Sequence, residues 1–380
     1  MIDKKYDLSD IAESRISVRS RFNDIARQNQ ALNRGSNLDN DEYLSKLLKV
    51  INIKSLVVGV GGAGNNTVSR MSDVGISEIQ TLNINTDAHD LYYSNAKQKL
   101  LIGKDKCNGL GSGNDPSVGT DAAEEDVDRL SDVLNTDVVF MTFGLGGGTG
   151  TGAAPIIARE AKKNNAIVVA FCSIPFSSEG KERIARARKG LGNLIQYVDT
   201  LIPIPNDNLL RFNQSLPILT GFKIMDEVLI RCMREILSLI NNCGLINIDY
   251  ADVKKVLEKQ GNIPSGLIGI TESLGEETDL IQKAKLALNN PLLETDPKKV
   301  DNCIVSVSGN HRLALSKIDK IVSAISSEIP EDASLKFGTS LNPTLGSKIR
   351  IMALGRGPIS PYVQSAIDGT EFPHSNFSQL

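Results

Sequence analysis

"FGLGGGTGTGAAP" (143–155) follows directly on the apolar run "DVVFMT" (137–142) and passes into a helical pattern. Gly144, Gly146, Gly147, Gly148, Gly150 and Gly152 crowd one strand-to-helix turn. Glycines let a ligand approach the backbone closely and let successive N–H groups form an anion nest. The helix that follows turns its unpaired N–H groups and its positive dipole end toward the same point. Two more loops of this kind precede it. "VVGVGGAGNNTV" (57–68) reads as strand, glycine turn and helix start, and its Gly59, Gly61, Gly62 and Gly64 satisfy G-x-G-x-x-G. "GLGSGNDP" (109–116) comes shortly after the apolar "KLLI" (99–102).

The first loop taken alone suggests a dinucleotide site, with Asp87 of "NINTDAHD" near the position of a ribose-binding carboxylate. Three loops on one chain point elsewhere. None of them contains a lysine, and the chain has no G-x-x-x-x-G-K-[ST] run. Phosphate must then be held mainly by backbone N–H groups, and three such walls surround a triphosphate more fully than a bridging pyrophosphate requires. A nicotinamide dehydrogenase would also leave two loops unexplained and finds no catalytic His–Asp pair here.

Around the loops the pattern alternates. Apolar strands are predicted near 53–59, 79–84, 137–143, 166–174 and 199–204, with helices near 64–74, 119–133, 150–164 and 179–196. Strands alternating with helices predict βαβ units on a parallel sheet. "DVVFMTF" and "AIVVAFCSI" are apolar throughout, as strands covered on both faces are. A long apolar helix is predicted over about 221–242, ended by the polar "GLINIDYAD". Beyond it, strands near 264–271, 302–308, 333–339 and 348–354 alternate with helices near 278–288 and 312–327, which predicts a smaller α/β domain with a mixed sheet.

The string "GGGTGTG" (146–152) resembles the signature of the tubulin/FtsZ superfamily. "GVGGAGNN", "NINTDAHDL", "GLGSGNDP", "PFSSEGKER", "DTLIPIPNDNLL" and "GLINIDYADVKKV" resemble successive motifs of its FtsZ branch, in order, from about Ser55 to Gly357. The resemblance implies a Rossmann-like GTP-binding α/β domain with a mainly parallel sheet, a long central helix and a smaller α/β C-terminal domain with a mixed sheet. The chain then divides into an N-terminal helical or flexible extension (1–50), a GTP-binding domain (51–220), the central helix (221–243), a loop and following helix (244–260), the C-terminal domain (261–358) and a flexible tail (359–380).

By this resemblance GTP or GDP is the ligand, with Mg²⁺ arriving on its phosphates. Gly61, Gly62, Asn66, Asp87, Gly111, Gly113, Gly146, Gly147, Gly148, Thr149, Gly150 and Thr151 are its expected phosphate-side and loop contacts. Residue chemistry agrees on guanine. Phe222 and Asp226 are four apart on the central helix and share a face. A phenyl ring can stack on a purine, and a carboxylate can accept from guanine N1–H and N2–H₂, which adenine does not offer. Asn206 can bond the same base. Glu179 can hold ribose hydroxyls, and Arg183 can reach the ribose–phosphate side. Without the resemblance, the plainer readings are a core Phe222, a solvated Asp226, an N-capping Asn206 and a surface Glu179–Arg183 ion pair.

Asn247, Asp249 and Asp252 fall in one turn after the central helix. On residue chemistry alone, the two carboxylates read as helix caps. The resemblance makes the three residues catalytic in the next subunit of a filament, where a carboxylate orients the attacking water. It implies a head-to-tail homopolymer, an FtsZ paralogue and membrane-anchoring division proteins as partners, and a ring at the division site. An alternative function is a specialised paralogue that binds GTP and scaffolds or co-assembles with weak self-polymerisation.

Composition is compatible with this. A hydrophobic fraction of 41% can fill two cores, and a formal net charge of −3 does not suggest nucleic acid. The five cysteines include no C-x-x-C pair, so neither zinc nor a disulfide framework is expected, and no protein metal site is. "MIDKKYDLSD" is too charged to open a signal peptide, and the glycine-rich uncharged run 138–158 does not read as a membrane span, so a cytoplasmic protein is expected. One departure stands out. Asp115 occupies a position where the family usually has Asn, and it could weaken GTP binding, assist Mg²⁺ or point away.

Overall fold

Val57, Val58 and Val60 are wholly buried in the first strand, as an apolar run covered on both faces should be. The computed structural model describes residues 53–74, 79–212, 217–241, 246–290 and 293–373. The expected N-terminal extension, 1–50, lies outside them. Strand β1 (Ser55–Val60) leads into helix α1 (Gly61–Asp73), then β2 (Gln80–Asn85), α2 (Ala88–Tyr93), β3 (Gln98–Leu101), α3 (Lys104–Cys107), α4 (Pro116–Glu125), α5 (Val127–Val133) and β4 (Val138–Gly144). Helix α6 (Thr149–Lys163), β5 (Ile167–Ile174), α7 (Lys181–Leu194), β6 (Thr200–Pro205) and α8 (Asp207–Phe212) complete the first half.

These six strands form one parallel sheet in the order β3-β2-β1-β4-β5-β6. The order reverses between β1 and β4, and in such a sheet ligands bind outside the carboxyl ends of the strands at that reversal. Chain direction thus places the first and third glycine loops on one edge, since each follows the C-terminal end of a strand, and the second, which follows α3, is tied there by its bonds to the end of β2.

The sequence pattern missed β3 and divided the helices differently. In β3 only Leu100 is buried, while Gln98 and Lys99 on this edge strand face water, so the short apolar "KLLI" does not show a strand's alternation. The single helix expected near 119–133 is broken at Asp126, whose side chain accepts from the Gly103 N–H at 2.8 Å and ties the break to the loop after β3.

Helix α9 (Ile218–Asn241) follows, with Met225, Leu229, Cys232, Met233, Ile236 and Leu237 buried at three- and four-residue spacing. Helix α10 (Tyr250–Leu257) precedes the second sheet, built from β7 (Leu267–Ser273), β8 (Asn302–Gly309), β9 (Ser334–Leu341) and β10 (Ile349–Arg356). Its order is β7-β10-β8-β9, with β10 antiparallel to both neighbours and β8–β9 parallel, so the sheet is mixed. Helices α11 (Glu277–Leu288) and α12 (Leu315–Ser326) cover it. Arg350 on β10 bonds Glu235 of α9 at 2.7 Å and Glu272 of β7 at 2.9 Å, joining the long helix to this sheet.

The tail differs from its expectation. Helix α13 (Pro361–Asp368) occupies part of it, capped by Ser360. Tyr362, Val363 and Phe372 are buried in the core of the first sheet, with the Tyr362 and Phe372 rings 5.2 Å apart. A helix of 8 residues, about two turns, is too short to show as sequence periodicity, yet it buries enough apolar surface to stay docked.

Candidate active site

Five strands of the first sheet, and the loop that follows the helix after the sixth, β3, open onto one cavity of about 480 Å³. Gly61 and Gly62 enter it from β1, Asn85 and Asp87 from β2, Gly111, Ser112, Gly113 and Asn114 from the loop beyond β3. Gly147, Gly148, Thr149 and Gly150 enter from β4, Ser173 and Glu179 from β5 and its following turn, and Asn206 from β6. Arg183 of α7 and Phe222 of α9 close the sides.

The loops are bonded to one another. Ala88 N–H donates to Gly109 O at 2.9 Å and Gly111 N–H to Thr86 O at 3.2 Å, which fixes the second loop against the β2–α2 turn. The Thr149 hydroxyl, at the start of α6, lies 2.7 Å from the Thr86 hydroxyl and 2.9 Å from the Ser112 hydroxyl. All three are buried, so a chain of hydroxyls on three loops forms the cavity floor. Gly61 has φ +67°, and a side chain there would stand 3.1 Å from Gly150 N. The first and third loops therefore bring backbone against backbone, which only glycine permits at that φ. The N-terminal N–H groups of α1 and α6 have no carbonyl partner within their helices, and the two helix starts meet at this point.

Several expected contacts play other parts. Gly146 N–H donates to Thr151 Oγ1 at 2.9 Å; neither residue lines the cavity, and the bond shapes the loop that does. Asn66 is exposed on α1, one turn beyond the lining glycines. Asp87 caps α2, accepting from His89 and Asp90 N–H at 2.9 and 3.0 Å, while still facing the cavity. Asp115 points away: it caps α4, accepting from Ser117 N–H and Oγ at 2.8 and 2.7 Å, and these bonds lower its pKa. Glu179 and Arg183 form the ion pair expected on residue chemistry, at 2.9 Å, and both line the cavity.

On the base side, Phe222 is 38% exposed and stands edge-on to Phe176, with ring centroids 6.1 Å apart. It lines the cavity instead of packing in a core. Asn206 is 7% exposed, and its Oδ1 is buried with no partner among the described residues. An orphaned acceptor at a cavity wall calls for a donor from a ligand. Asp226 does not line the cavity. It accepts from Thr67 Oγ1 at 2.6 Å and pairs with Arg70 at 3.2 Å. Burial raises its pKa, against the pull of Thr67 and Arg70.

Sequence reasoning missed Asn85 at the cavity wall. Its Oδ1 accepts from Thr86 and Asp87 N–H at 2.9 and 3.2 Å, and its Nδ2 donor is buried with no partner among the described residues. The asparagine ending an apolar strand was the available signal.

Asn247, Asp249 and Asp252 lie on other elements, and none of them lines the cavity. Asp249 is exposed at the N-cap of α10, with no side-chain capping bond. Asp252 pairs with Lys336 of β9 at 2.7 Å.

Residues 54–214 match the GTPase domain of the Tubulin/FtsZ family, and residues 265–357 match the C-terminal domain of the FtsZ family. The chain is 40% identical to the cell division protein FtsZ of Methanothermobacter thermautotrophicus, over 88% of this chain and 87% of that one. The chain belongs to the FtsZ family. It is therefore a GTPase that takes GTP and GDP, and a cytoskeletal protein of cell division. It is also 43% identical to cell division protein FtsZ 1 of Thermococcus kodakarensis, over 85% and 86% of the two chains. The solved structure of an empty FtsZ dimer from M. jannaschii superposes with TM-score 0.75 at 39% identity, covering 84% of this chain and 92% of that one. The two-sheet architecture is the FtsZ fold.

Proposed function

We propose that the chain polymerises head to tail and hydrolyses GTP at the contact between subunits. The observation that supports this is a separation: the glycine loops form one cavity, while Asn247, Asp249 and Asp252 stand on a different segment and line no part of it. In such a layout a second copy brings these two further carboxylates, Asp249 and Asp252, to the γ-phosphate. In the contact, Asp249 orients the attacking water and takes part of its proton, Asp252 holds the water network, and Asn247 bonds both. Hydrolysis removes the phosphate that the loops grip and so weakens the contact.

In the cavity, the N–H groups of the first and third loops and the Asn85 amide hold phosphate oxygens. Phe222 stacks on guanine, Asn206 accepts from it, and Asp226 completes recognition by turning from Arg70 toward N1–H and N2–H₂. Glu179 holds the ribose. Three carboxylates (Asp87, Asp90, Glu179) line the cavity against one guanidinium (Arg183), so the walls do not neutralise a triphosphate. Mg²⁺ carried on the phosphates fits this donor set: Asp87 and Asp90 can order its waters, and the cation would offset phosphate charge.

The protein works in the cytoplasm, in a ring at midcell, and reaches the membrane through anchoring division proteins, with an FtsZ paralogue as a second partner. No helix among the described residues is long and apolar enough to cross a membrane. The experiment is light scattering and phosphate release on purified protein with GTP, ATP or NAD. Scattering and release with GTP alone are expected; release at the same rate from subunits too dilute to assemble would refute the shared site.

A further inference from the structure

Gly338 of β9 has no side chain, and Ile248 takes the space: a Cβ there would stand 2.7 Å from the Ile248 side chain. Just beyond, Thr339 N–H donates to Ile246 O at 3.0 Å in an isolated antiparallel bridge. The segment carrying Asn247 and Asp249 is therefore seated on β9, the edge strand of the second sheet. Side chains two apart on a strand share a face, so Lys336 projects on the same side as Gly338. From there its ammonium reaches Asp252 Oδ1 at 2.7 Å. The Asp252 side chain is 14% exposed and that of Lys336 51%, so the pair lies at the surface with the aspartate the more covered partner.

We propose that Lys336 is a positioning residue for the hydrolytic reaction. It holds the Asp252 carboxylate in the orientation presented to the neighbouring subunit and offsets its charge as the segment meets a polyphosphate. This rests on the assignment of Asp252 to hydrolysis in the next subunit. The physical need is plain: Asp249 and Asp252 must approach an anion, and two carboxylates facing a triphosphate repel it. An ammonium fixed beside one of them lowers that repulsion without occupying the cavity, and the Ile248–Gly338 contact and the Ile246–Thr339 bridge keep the strand and the segment in register. Lysine suits the place because its compact charge ends a long stem that reaches from strand to helix.

The test uses the full chain with GTP and Mg²⁺, comparing Lys336→Met, Lys336→Arg and Asp252→Asn with wild type. Three quantities are read: GTP affinity of the unassembled subunit, turnover per assembled subunit, and thermal midpoint. Lys336→Met should keep GTP affinity and the midpoint and lose about two- to fivefold in turnover, the range of an exposed ion pair. Lys336→Arg, which keeps the charge, should recover most of the loss. Wild-type turnover in Lys336→Met, or an equal loss in Lys336→Arg, overturns the proposal when Asp252→Asn is inactive. Wild-type turnover in Asp252→Asn instead overturns the assignment of Asp252, and the role of Lys336 with it.

Discussion

The Thr149 hydroxyl lies 2.7 Å from the Thr86 hydroxyl, so the third glycine loop is bonded to the end of β2 beneath the cavity. Ser112 joins the same hydroxyl at 2.9 Å. The β2–α2 turn and the second and third glycine loops are thus bonded into one floor. Thr149→Val keeps the shape and removes the shared hydroxyl, leaving Thr86 and Ser112 short of a partner. We expect a loss of about 1–3 kcal/mol of stability and weaker GTP binding, read by denaturant unfolding and nucleotide titration. Unchanged values in both would mean that the loops do not depend on this bond.

Asp249→Ala and Asp252→Ala should bind GTP as wild type does and fail to hydrolyse it, because neither residue lines the cavity. Phosphate release per assembled subunit measures this. Either variant releasing phosphate at the wild-type rate would remove that residue from the reaction.

Asp226 carries a pH signature. Burial raises its pKa above the ordinary 3.8, opposed by Thr67 and Arg70. The folded state then binds this proton more tightly than the unfolded chain, so the contribution of Asp226 to stability falls as pH rises through the native pKa. Asp226→Asn has no such titration. Its stability relative to wild type should therefore rise as pH climbs from the ordinary carboxyl value through the native pKa, as followed by urea midpoints across the acid range. A flat difference would show that the site does not desolvate the carboxyl. The same variant should lose GTP and gain xanthosine triphosphate, whose C2 carbonyl suits an amide donor.

Arg350 is placed between Glu235 and Glu272, with side-chain exposures of 14%, 9% and 20%. Arg350→Met leaves a buried carboxylate on α9 without its cation. The expected cost is about 3 kcal/mol or more, seen as a lower denaturant midpoint. The double variant Arg350→Met, Glu235→Leu should recover part of it, since the charge left behind is then removed. No recovery would place the cost elsewhere.

Tyr362 tests the docked C-terminal helix. It is 3% exposed and packs on Phe372 in the core of the first sheet. Tyr362→Ala should destabilise the protein by about 3 kcal/mol, whereas a loose tail would tolerate it. Thermal unfolding decides between these outcomes.

Signals carried by consecutive residues were legible without coordinates. The apolar runs ending in Val60 and Gly144 announced parallel strands, and the glycines after them announced an anion cradle, because strand burial and backbone approach are properties of a few neighbouring positions. Phe222, Glu179, Arg183 and Asn206, singled out once the order of the motifs was seen, all line the cavity. Asn66 and Asp226 carried the same residue logic, yet the fold sets Asn66 outside the cavity and holds Asp226 with Thr67 and Arg70. The fate of Asp115 was open among three roles, and Ser117 decided it as a helix cap. Strand β3 and helix α13 were too short for a period to form. The bonds of Thr149 to Thr86 and Ser112, and of Asp252 to Lys336, join residues 63, 37 and 84 positions apart. The sequence by itself determined which chemistry the chain holds, since residue type and local spacing set that. Only the tertiary structure decided which partner each group meets and which carboxylates stand clear of the cavity, because strand order, not sequence distance, brings those atoms together.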